Sequence, residues 1–311
     1  MRVIIIGGTG LIGRGLTESL AADGHQVDVV ARHPDRPSGP EAPVRFVRWD
    51  GRSTSGWAHL VDGAEAVVHL AGETIGGTHL GQVFFQRWTR AKKQRILHSR
   101  VDAGQAIVEA IRQAERKPAV LVQASAVGYY GPRLDRPVDE SDPPGHDFLA
   151  GVCLAWERAT EAAEKLGVRR VVTRTGLVLS LRGGLFPVVL LPFRLFVGGR
   201  IGSGRQGFSW IHAEDHARAV RFLIENEGAR GAYNVTAPNP VTNAELGRLV
   251  ARRLRRPYWL PTPALLLRRV LGEKATLVVD GQAVRPRRLL EAGFEFRYPT
   301  LEQALDDLLA R

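Results

Sequence analysis

Short apolar runs alternate with longer amphipathic segments over the first half of the chain. Runs this apolar and rich in β-branched residues are typical of parallel strands that are buried on both faces. The predicted strands are Arg2–Ile6, Val27–Ala31, Val44–Trp49, Ala66–Leu70, Ala119–Ala124 and Arg170–Thr175. The predicted helices between them are Leu11–Ala22, Gln82–Ser99, Val101–Glu115 and Leu149–Lys165. This alternation predicts an α/β protein with a doubly wound parallel sheet.

The pattern changes after Gly176, where glycine and proline punctuate residues 183–207. A helix over Glu214–Glu225 and a strand over Ala232–Val235 resume the earlier rhythm, and a final amphipathic helix covers Leu301–Ala310. We therefore predict two units. A first domain spans 1–180, with 208–235 returning to it, and a smaller C-terminal α/β lobe consists of 181–207 and 236–311.

The charge balance is basic, with 43 Lys and Arg against 32 Asp and Glu among 311 residues, a net charge of +11. The arginines are scattered and no aromatic stacking motif accompanies them, so we expect no nucleic-acid partner but an anion site for a phosphorylated ligand. No run approaches the roughly 20 apolar residues of a membrane helix, so we also expect no membrane partner. The N-terminus does not have the pattern of a signal peptide, and we expect a cytoplasmic protein.

A single cysteine, Cys153, excludes an internal disulfide and a cysteine-cluster metal site. Cys153 lies in an apolar helical stretch, as a packed small hydrophobe does. His69 and His212 lie at predicted strand ends without a second histidine at metal-site spacing. We predict no metal site.

The strongest chemical signal is the glycine-rich turn at residues 7–13, Gly-Gly-Thr-Gly-Leu-Ile-Gly, between the first strand and the first helix. In this context glycines permit a tight turn, a close approach of the backbone to a pyrophosphate and close packing of helix on sheet. The helix N-terminus then offers free N–H groups to phosphate. The first domain is therefore predicted to bind a dinucleotide, and the C-terminal lobe to bind the substrate. The cofactor residues predicted from this turn are Gly7, Thr9, Gly10, Leu11, Ile12 and Gly13.

The end of the second strand indicates which dinucleotide is bound. NAD-selective sites usually place an acidic residue there to bind the ribose 2′-hydroxyl. This chain has Ala31 followed by Arg32, and a guanidinium can bind a 2′-phosphate through two hydrogen bonds. The sequence therefore favours NADP over NAD, with a merely solvated Arg32 as the alternative.

Further motifs resemble the short-chain dehydrogenase/reductase superfamily, in its extended, sugar-nucleotide-epimerase-like branch. The residues at 67–72, 124–131, 174–178 and 210–215 carry this resemblance. It implies that Leu70, Ala71 and Gly72 line the adenine and ribose, that Ser125 is the superfamily serine, and that Val178 contacts the nicotinamide. It also implies a small-molecule substrate and a monomer or homodimer.

More narrowly, the chain resembles an atypical epimerase-like subfamily with a C-terminal domain of unknown function. The strings that fit are residues 70–73, 87–88, 99–101, 147–150, 156–157, 202–206, 209–212, 271–273, 281–282 and 298–299. The resemblance covers essentially the whole chain, and the subfamily has no assigned substrate.

The superfamily's catalytic pair, a tyrosine and a lysine four residues later on one helix, is missing here. Aligned on Glu157, the two positions fall on Leu149 and Cys153, which can neither donate a proton nor lower a neighbour's pKa. The candidates for another acid or base are Ser125, Tyr129 and Tyr130. A tyrosine would need its pKa lowered from about 10, which Arg100 or Arg205 could do. Arg100 also takes the place of an asparagine near the cofactor in the branch, so we predict that it contacts the cofactor.

Three interpretations stay open. Another side chain near the nicotinamide acts as acid or base, or hydride transfer proceeds with little help from one. In both cases the chain is an NADP(H)-dependent oxidoreductase or epimerase-like enzyme. Alternatively, the chain binds NADP(H) as a regulatory or sensor protein without turnover, because fold alone does not establish function.

Overall fold

A parallel sheet forms the centre of the computed structural model, which describes residues 1–34, 43–77, 86–133 and 136–310. In these ranges seven strands pair in the order β3-β2-β1-β4-β5-β6-β10, all of them parallel. The strands are β1 Arg2–Ile6, β2 Gln26–Ala31, β3 Val44–Arg48, β4 Ala66–His69, β5 Val120–Ala126, β6 Arg169–Thr175 and β10 Gly231–Val235. The strand order reverses between β1 and β4, and ligands of such sheets bind beside that point. The predicted Rossmann-type α/β fold is confirmed.

Helices pack on both faces of this sheet and also form much of the smaller C-terminal part. They are α1 Leu11–Ala22, α2 Arg90–Gln113, α3 Phe148–Arg158, α4 Phe186–Arg194 and α5 Ala213–Glu225, followed by α6 Asn243–Leu254, α7 Ala264–Leu271, α8 Thr276–Val279, α9 Arg287–Glu291 and α10 Leu301–Leu309. Successive side chains of a strand face opposite sides. Val3 and Ile5 accordingly pack in one core with α1 and α5, and Ile4 and Ile6 pack in the other with α2.

The smaller C-terminal part has a core of its own, formed mainly by α4, α6 and α10. Outside the main sheet, the short strands β7 Leu177–Leu179 and β9 Trp210–His212 pair in parallel, and β8 Gly207–Phe208 and β11 Val241–Thr242 pair antiparallel. The segment 208–235 brings β10 back to the main sheet beside β6. The boundaries of the two units remain a prediction from the sequence.

Three predicted helices differ from those in the structure. In place of separate helices over Gln82–Ser99 and Val101–Glu115, one helix, α2, begins after Thr89, whose hydroxyl accepts a hydrogen bond from the Lys92 N–H. Residues 82–85 of the prediction lie outside the described part. The predicted helix Leu149–Lys165 ends as an α-helix at Arg158 and continues after two residues as a 3₁₀ turn, Glu161–Leu166.

The glycine-rich turn brings α1 against β1. A Cβ built on Gly13 would lie 2.4 Å from the Cα of Gly8, and one on Gly7 would lie 2.7 Å from the Ala71 nitrogen. The neighbours are backbone atoms that cannot move aside cheaply. Gly10, the N-cap residue that precedes α1, has no side chain to cap the helix. The first N–H groups of the helix therefore stay available to a ligand.

We expect Gly13→Ala to lower the free energy of unfolding by about 1–3 kcal/mol, the usual cost of forcing a methyl group into a packed site. It should also weaken dinucleotide binding, because α1 must move away from the turn. The matched control is Gly15→Ala on the same helix, where a Cβ meets nothing within 4 Å and where alanine should stabilise by about 0.5–1 kcal/mol. Urea unfolding checks both variants, and equal effects would contradict this interpretation.

Candidate functional site

A cavity of about 530 Å³ opens at the carboxyl ends of β1, β2 and β4, beside the strand-order reversal. Eight of the predicted cofactor residues line it: Gly7, Thr9, Gly10, Ala31, Arg32, Leu70, Ala71 and Gly72. The other five predicted cofactor residues do not. Of these, Gly13 faces Gly8 and Val178 is buried on β7 in the core. Leu11 packs beside Gly184, where an added Cβ would lie 2.9 Å from the Leu11 Cδ2. Ile12 packs on the core, and Arg100 is buried behind Gly72.

Sequence reasoning missed a second wall of this cavity. It is formed by Trp49, Asp50, Gly51 and Arg52 after β3 and by Glu73, Arg95, His98, Ser99 and Asp102 from β4 and α2. The first group could have been predicted from the sequence, because residues that follow any strand near the strand-order reversal lie at one edge of the sheet. The second group depends on the exact rotation of α2, which the weakly amphipathic sequence of that helix does not specify.

Arg32 follows β2 directly and lines the cavity. Its side chain is exposed and passes over Gly51, whose Cβ position is 3.4 Å from the Arg32 Cδ. A neighbouring cavity of about 460 Å³ is lined by Arg32, His33, Arg48, Trp49, Asp50, Ser53 and Ser55. The carboxylate in this region, Asp50, accepts the backbone N–H groups of Ser53 and Arg52, which lower its pKa. Arg32 and Arg48 therefore line the same cavity as Asp50, whose carboxylate is already hydrogen-bonded.

Arg100 lies directly beneath the floor of the larger cavity. A Cβ on Gly72 would meet the Arg100 Cζ at 2.9 Å. The guanidinium donates to the Glu73 and Ile96 carbonyl oxygens and stacks over the Trp156 ring at 4.7 Å. Burial lowers its pKa to about 10, and in the described part of the chain its Nε has no hydrogen-bond partner.

Glu73 forms an ion pair at the cavity wall. Its Oε1 lies 2.5 Å from the buried Lys92 Nζ and 3.5 Å from the Arg95 Nε. Partial burial favours the neutral form of Glu73. The hydrogen bond and the charge of Lys92 outweigh this effect, and the pKa of Glu73 is lowered. Glu73 is therefore an anion held in place by α2, not a proton donor near neutral pH.

Ser125, the superfamily serine, is part of a buried network. Its hydroxyl donates to the Glu157 Oε1 at 2.7 Å, and the Arg174 guanidinium donates to both Glu157 oxygens at 3.0 Å. Burial opposes the charge of Arg174, but the bonds to Glu157 raise its pKa overall. Because Glu157 is a carboxylate bound to a cation, it can only accept, so the Ser125 proton points to Glu157 and not to a substrate.

The two candidate tyrosines belong to the same network. The Tyr130 hydroxyl donates to the Asn234 Oδ1 at 2.7 Å and accepts from Arg174 at 3.2 Å. Its ring is fully buried, and burial raises its pKa to about 12. The Tyr129 ring lies beneath the Arg174 guanidinium at 3.4 Å. These placements favour structural roles. Arg205, the other cation considered, is exposed on the C-terminal part.

Leu149 and Cys153 face the segment that follows Ser125. A Cβ on Gly128 would lie 3.5 Å from the Leu149 Cβ and 3.8 Å from the Cys153 Sγ. Burial raises the pKa of the Cys153 thiol to about 11, so it is a thiol and a poor nucleophile. Leu149 packs with Trp88, Ile75, Phe148 and Leu277 in an apolar cluster.

The buried His69 and His216 are each hydrogen-bonded inside the protein. The His69 Nε2 accepts the Trp156 indole N–H at 3.1 Å, and burial lowers the His69 pKa to about 3. Within the described ranges, no three histidine, cysteine or carboxylate side chains are grouped as metal ligands.

Within the same ranges, no helix has the length and apolar character needed to cross a bilayer.

Comparisons with known proteins identify relatives over the whole chain. The model of the NAD dependent epimerase/dehydratase family matches residues 3–236, and that of a domain of unknown function, DUF1731, matches residues 262–308. The epimerase family protein YfhF of Bacillus subtilis is 38% identical over 311 residues, which is 100% of this chain and 98% of that protein. The epimerase family protein SERP0438 of Staphylococcus epidermidis is 37% identical over 309 residues, with 99% of each chain covered.

Solved structures show the same similarity. The human epimerase family protein SDR39U1, isoform 2, crystallised with NADPH, superposes with a TM-score of 0.87 at 34% identity, covering 100% of both chains. MoeE5 in complex with UDP-glucose and NAD superposes with a TM-score of 0.77 at 22% identity, covering 100% of this chain and 98% of that one. The second likeness concerns the fold alone.

Proposed function

The chain belongs to the NAD dependent epimerase/dehydratase family, the extended branch of the short-chain dehydrogenases, and we propose that it binds NADP(H) in the 530 Å³ cavity. The observation that carries this proposal is the exposed Arg32 side chain, which lines the cavity directly after β2, where NAD-selective sites have a carboxylate. Asp50 also lines the cavity, but its carboxylate is already hydrogen-bonded to backbone N–H groups. A carboxylate there would repel a 2′-phosphate, and a guanidinium attracts it. The human relative crystallised with NADPH supports the same cofactor.

The residues present fit the pyrophosphate and the adenine of such a dinucleotide. Gly7, Thr9 and Gly10 offer the turn and the uncapped N-terminus of α1 to the pyrophosphate. Trp49 and Asp50 close the end of the cavity beyond β3, where the adenine would lie. When bound, the nicotinamide would supply a hydride. We propose that the chain uses it as an oxidoreductase or epimerase-like enzyme on a small molecule bound near Leu149.

The source of the proton in such a reaction is what distinguishes this chain from the superfamily. Leu149 has no ionisable proton, burial makes the Cys153 thiol a weaker acid, and Ser125 donates to Glu157. None of the three inherited positions is therefore a good proton donor to a substrate oxygen. We propose hydride transfer to an acceptor that needs little protonation by the protein, such as a conjugated or cationic carbon centre.

A binding protein without turnover is the second candidate, and the same network favours it. Ser125, Arg174 and Tyr130 are already paired with Glu157 or Asn234 inside the protein. Absorbance of NADPH, followed with a panel of ketones, quinones, enones and iminium compounds, separates the two. Oxidation of NADPH that saturates with one class supports the enzyme. Tight NADPH binding without oxidation by any class supports the sensor.

Arg32→Asp is expected to weaken NADPH binding about 10- to 100-fold, because a charge-assisted hydrogen bond contributes roughly 1.5–3 kcal/mol. NADH binding should strengthen, since the new carboxylate can accept from the ribose hydroxyl. Nicotinamide fluorescence titrations with both cofactors measure the change. The matched control, Arg194→Asp, makes the same charge change on an exposed residue of α4 and should leave both affinities unaltered. An unchanged preference in Arg32→Asp would contradict the NADP assignment.

A further inference from the structure

The C-terminal part carries a continuous apolar patch. Of the eleven large hydrophobic side chains that are exposed in the described ranges, eight lie in two segments and are called here the apolar patch. They are Leu195, Phe196, Val197, Trp259, Leu260, Leu265, Leu266 and Val270. Clustered exposure of this kind marks an interaction surface, whereas single exposed leucines do not.

Hydrogen bonds between the two segments show that they form one surface. The Trp259 indole donates to the Phe196 carbonyl oxygen at 2.8 Å, and the Trp259 N–H donates to that of Gly198 at 3.0 Å. The Thr262 N–H likewise donates to the Arg200 carbonyl oxygen at 2.8 Å. Phe196 is held outward with a φ of 62°, a conformation that is uncommon for a large side chain.

The charge around the patch is mainly basic. Residues 186–202 and 246–272 contain nine arginines and no aspartate or glutamate. Two of these arginines, Arg253 and Arg268, pair with Asp306 and Asp280 from outside the two ranges. Arg256 lies over the Phe196 ring at 4.3 Å, and Arg269 is exposed on α7. An apolar surface with an excess of positive charge at its border is complementary to an anionic partner that also has an apolar interior.

We propose that the apolar patch docks this protein onto the surface of a membrane containing anionic phospholipid. Leu265, Trp259 and Leu195 are 76%, 64% and 60% exposed, so they stand out from the protein rather than line a groove. A bilayer accepts such side chains without a matching cavity, and tryptophan favours its interface. The arginines bind the phosphates of the head groups. The proposal is independent of the proposed function.

A second copy of the chain fits the patch less well. In a twofold dimer the same surface meets itself, so the arginines of one border would face those of the other. Neither segment supplies a carboxylate to pair with them. The expectation of no membrane partner rested on the absence of a spanning run, and peripheral docking through α7, a helix of eight residues, needs none.

Sedimentation with vesicles tests the proposal on the full chain. We expect binding to vesicles of equimolar phosphatidylcholine and phosphatidylglycerol, weakened by added salt, and little binding to phosphatidylcholine alone. Trp259 is the one exposed tryptophan of six, the other five being buried. Lipids brominated along the acyl chain should therefore quench its emission selectively, and Trp259→Phe should abolish that quenching.

The variant Leu265→Gln with Leu266→Gln should reduce partition onto anionic vesicles about tenfold or more, and Arg194→Gln with Arg269→Gln should reduce it with a weaker salt dependence. The matched control is Leu181→Gln with Leu290→Gln, two exposed leucines outside the patch, which should bind like the wild type. Three results would each overturn the proposal. They are equal binding to neutral vesicles, a dimer that the Leu265 and Leu266 changes abolish, and binding to polyglutamate without binding to vesicles.

Discussion

Glu157→Gln is expected to lower the free energy of unfolding by about 3–5 kcal/mol, the usual cost of removing one partner from a buried ion pair. The Arg174 guanidinium is as buried as Glu157, with side-chain exposures of 6% and 10%. Glutamine removes the negative charge that balances Arg174, and the buried guanidinium keeps its own charge. The amide oxygen can still accept from Ser125 and the Arg174 Nε, but the amide NH2 group would meet the second Arg174 donor in place of an acceptor. Urea unfolding followed by circular dichroism measures the loss.

Two control variants identify the cause. Glu157→Leu combined with Arg174→Met removes both charges and should be more stable than either single variant, because an apolar pair of similar volume replaces a buried ion pair at little cost. Glu18→Gln breaks the exposed pair with Arg182, which is 2.8 Å long with exposures of 62% and 76%, and should change stability by about 1 kcal/mol or less. A Glu157→Gln protein as stable as Glu18→Gln would contradict the prediction.

The central sheet was predictable because its strands carry a strong local signal. Strand β1 and helix α1 have the predicted limits, Arg2–Ile6 and Leu11–Ala22. A run buried on both faces must be apolar throughout, and a glycine-rich turn leaves little freedom in how the following helix begins. Half of the cavity wall follows from the same reasoning, since Gly7, Ala31 and Leu70 all lie where a predicted strand ends.

The proton network was not predictable in the same way. Ser125 and Arg174 lie on neighbouring strands at paired positions, and Glu157 reaches them from α3. No spacing along the chain encodes this meeting, because it depends on how α3 is rotated against the sheet. The sequence indicated that Leu149 and Cys153 have lost their superfamily roles. Only the packed structure indicates that the Ser125 proton is committed elsewhere.

Arg100 explains how the site tolerates the loss of a lysine at position 153. Its guanidinium comes from α2, is stacked on Trp156 one turn beyond Cys153, and is near enough for its charge to lower the pKa of that thiol against the dominant effect of burial. A cation from a different helix therefore already lies near Cys153. The floor of the cavity, Gly72, has no side chain that could displace it.

Restoring the superfamily pair with Leu149→Tyr and Cys153→Lys is therefore expected to fail. The introduced ammonium would be buried beside Arg100 without a free carboxylate, since Glu157 is bound by Arg174 and Glu73 by Lys92. We expect a loss of about 3 kcal/mol or more in the free energy of unfolding, weaker NADPH binding and no reduction of generic ketones. Urea unfolding, fluorescence titration and NADPH absorbance measure the three effects.

Adding Arg100→Asn to that double variant tests the reason for the failure. If repulsion between two buried cations is the cause, removing the guanidinium should restore stability in the triple variant, although Arg100→Asn alone should destabilise the protein. Leu149→Tyr with Cys153→Ala controls for the bulk of the tyrosine without a new charge. A double variant that is stable and reduces ketones with NADPH would contradict the prediction, and would mean that the site is a conventional one in which two residues were lost. A triple variant less stable than the double one would show instead that Arg100 is needed for the packing of Trp156, and that its charge does not exclude a lysine from α3.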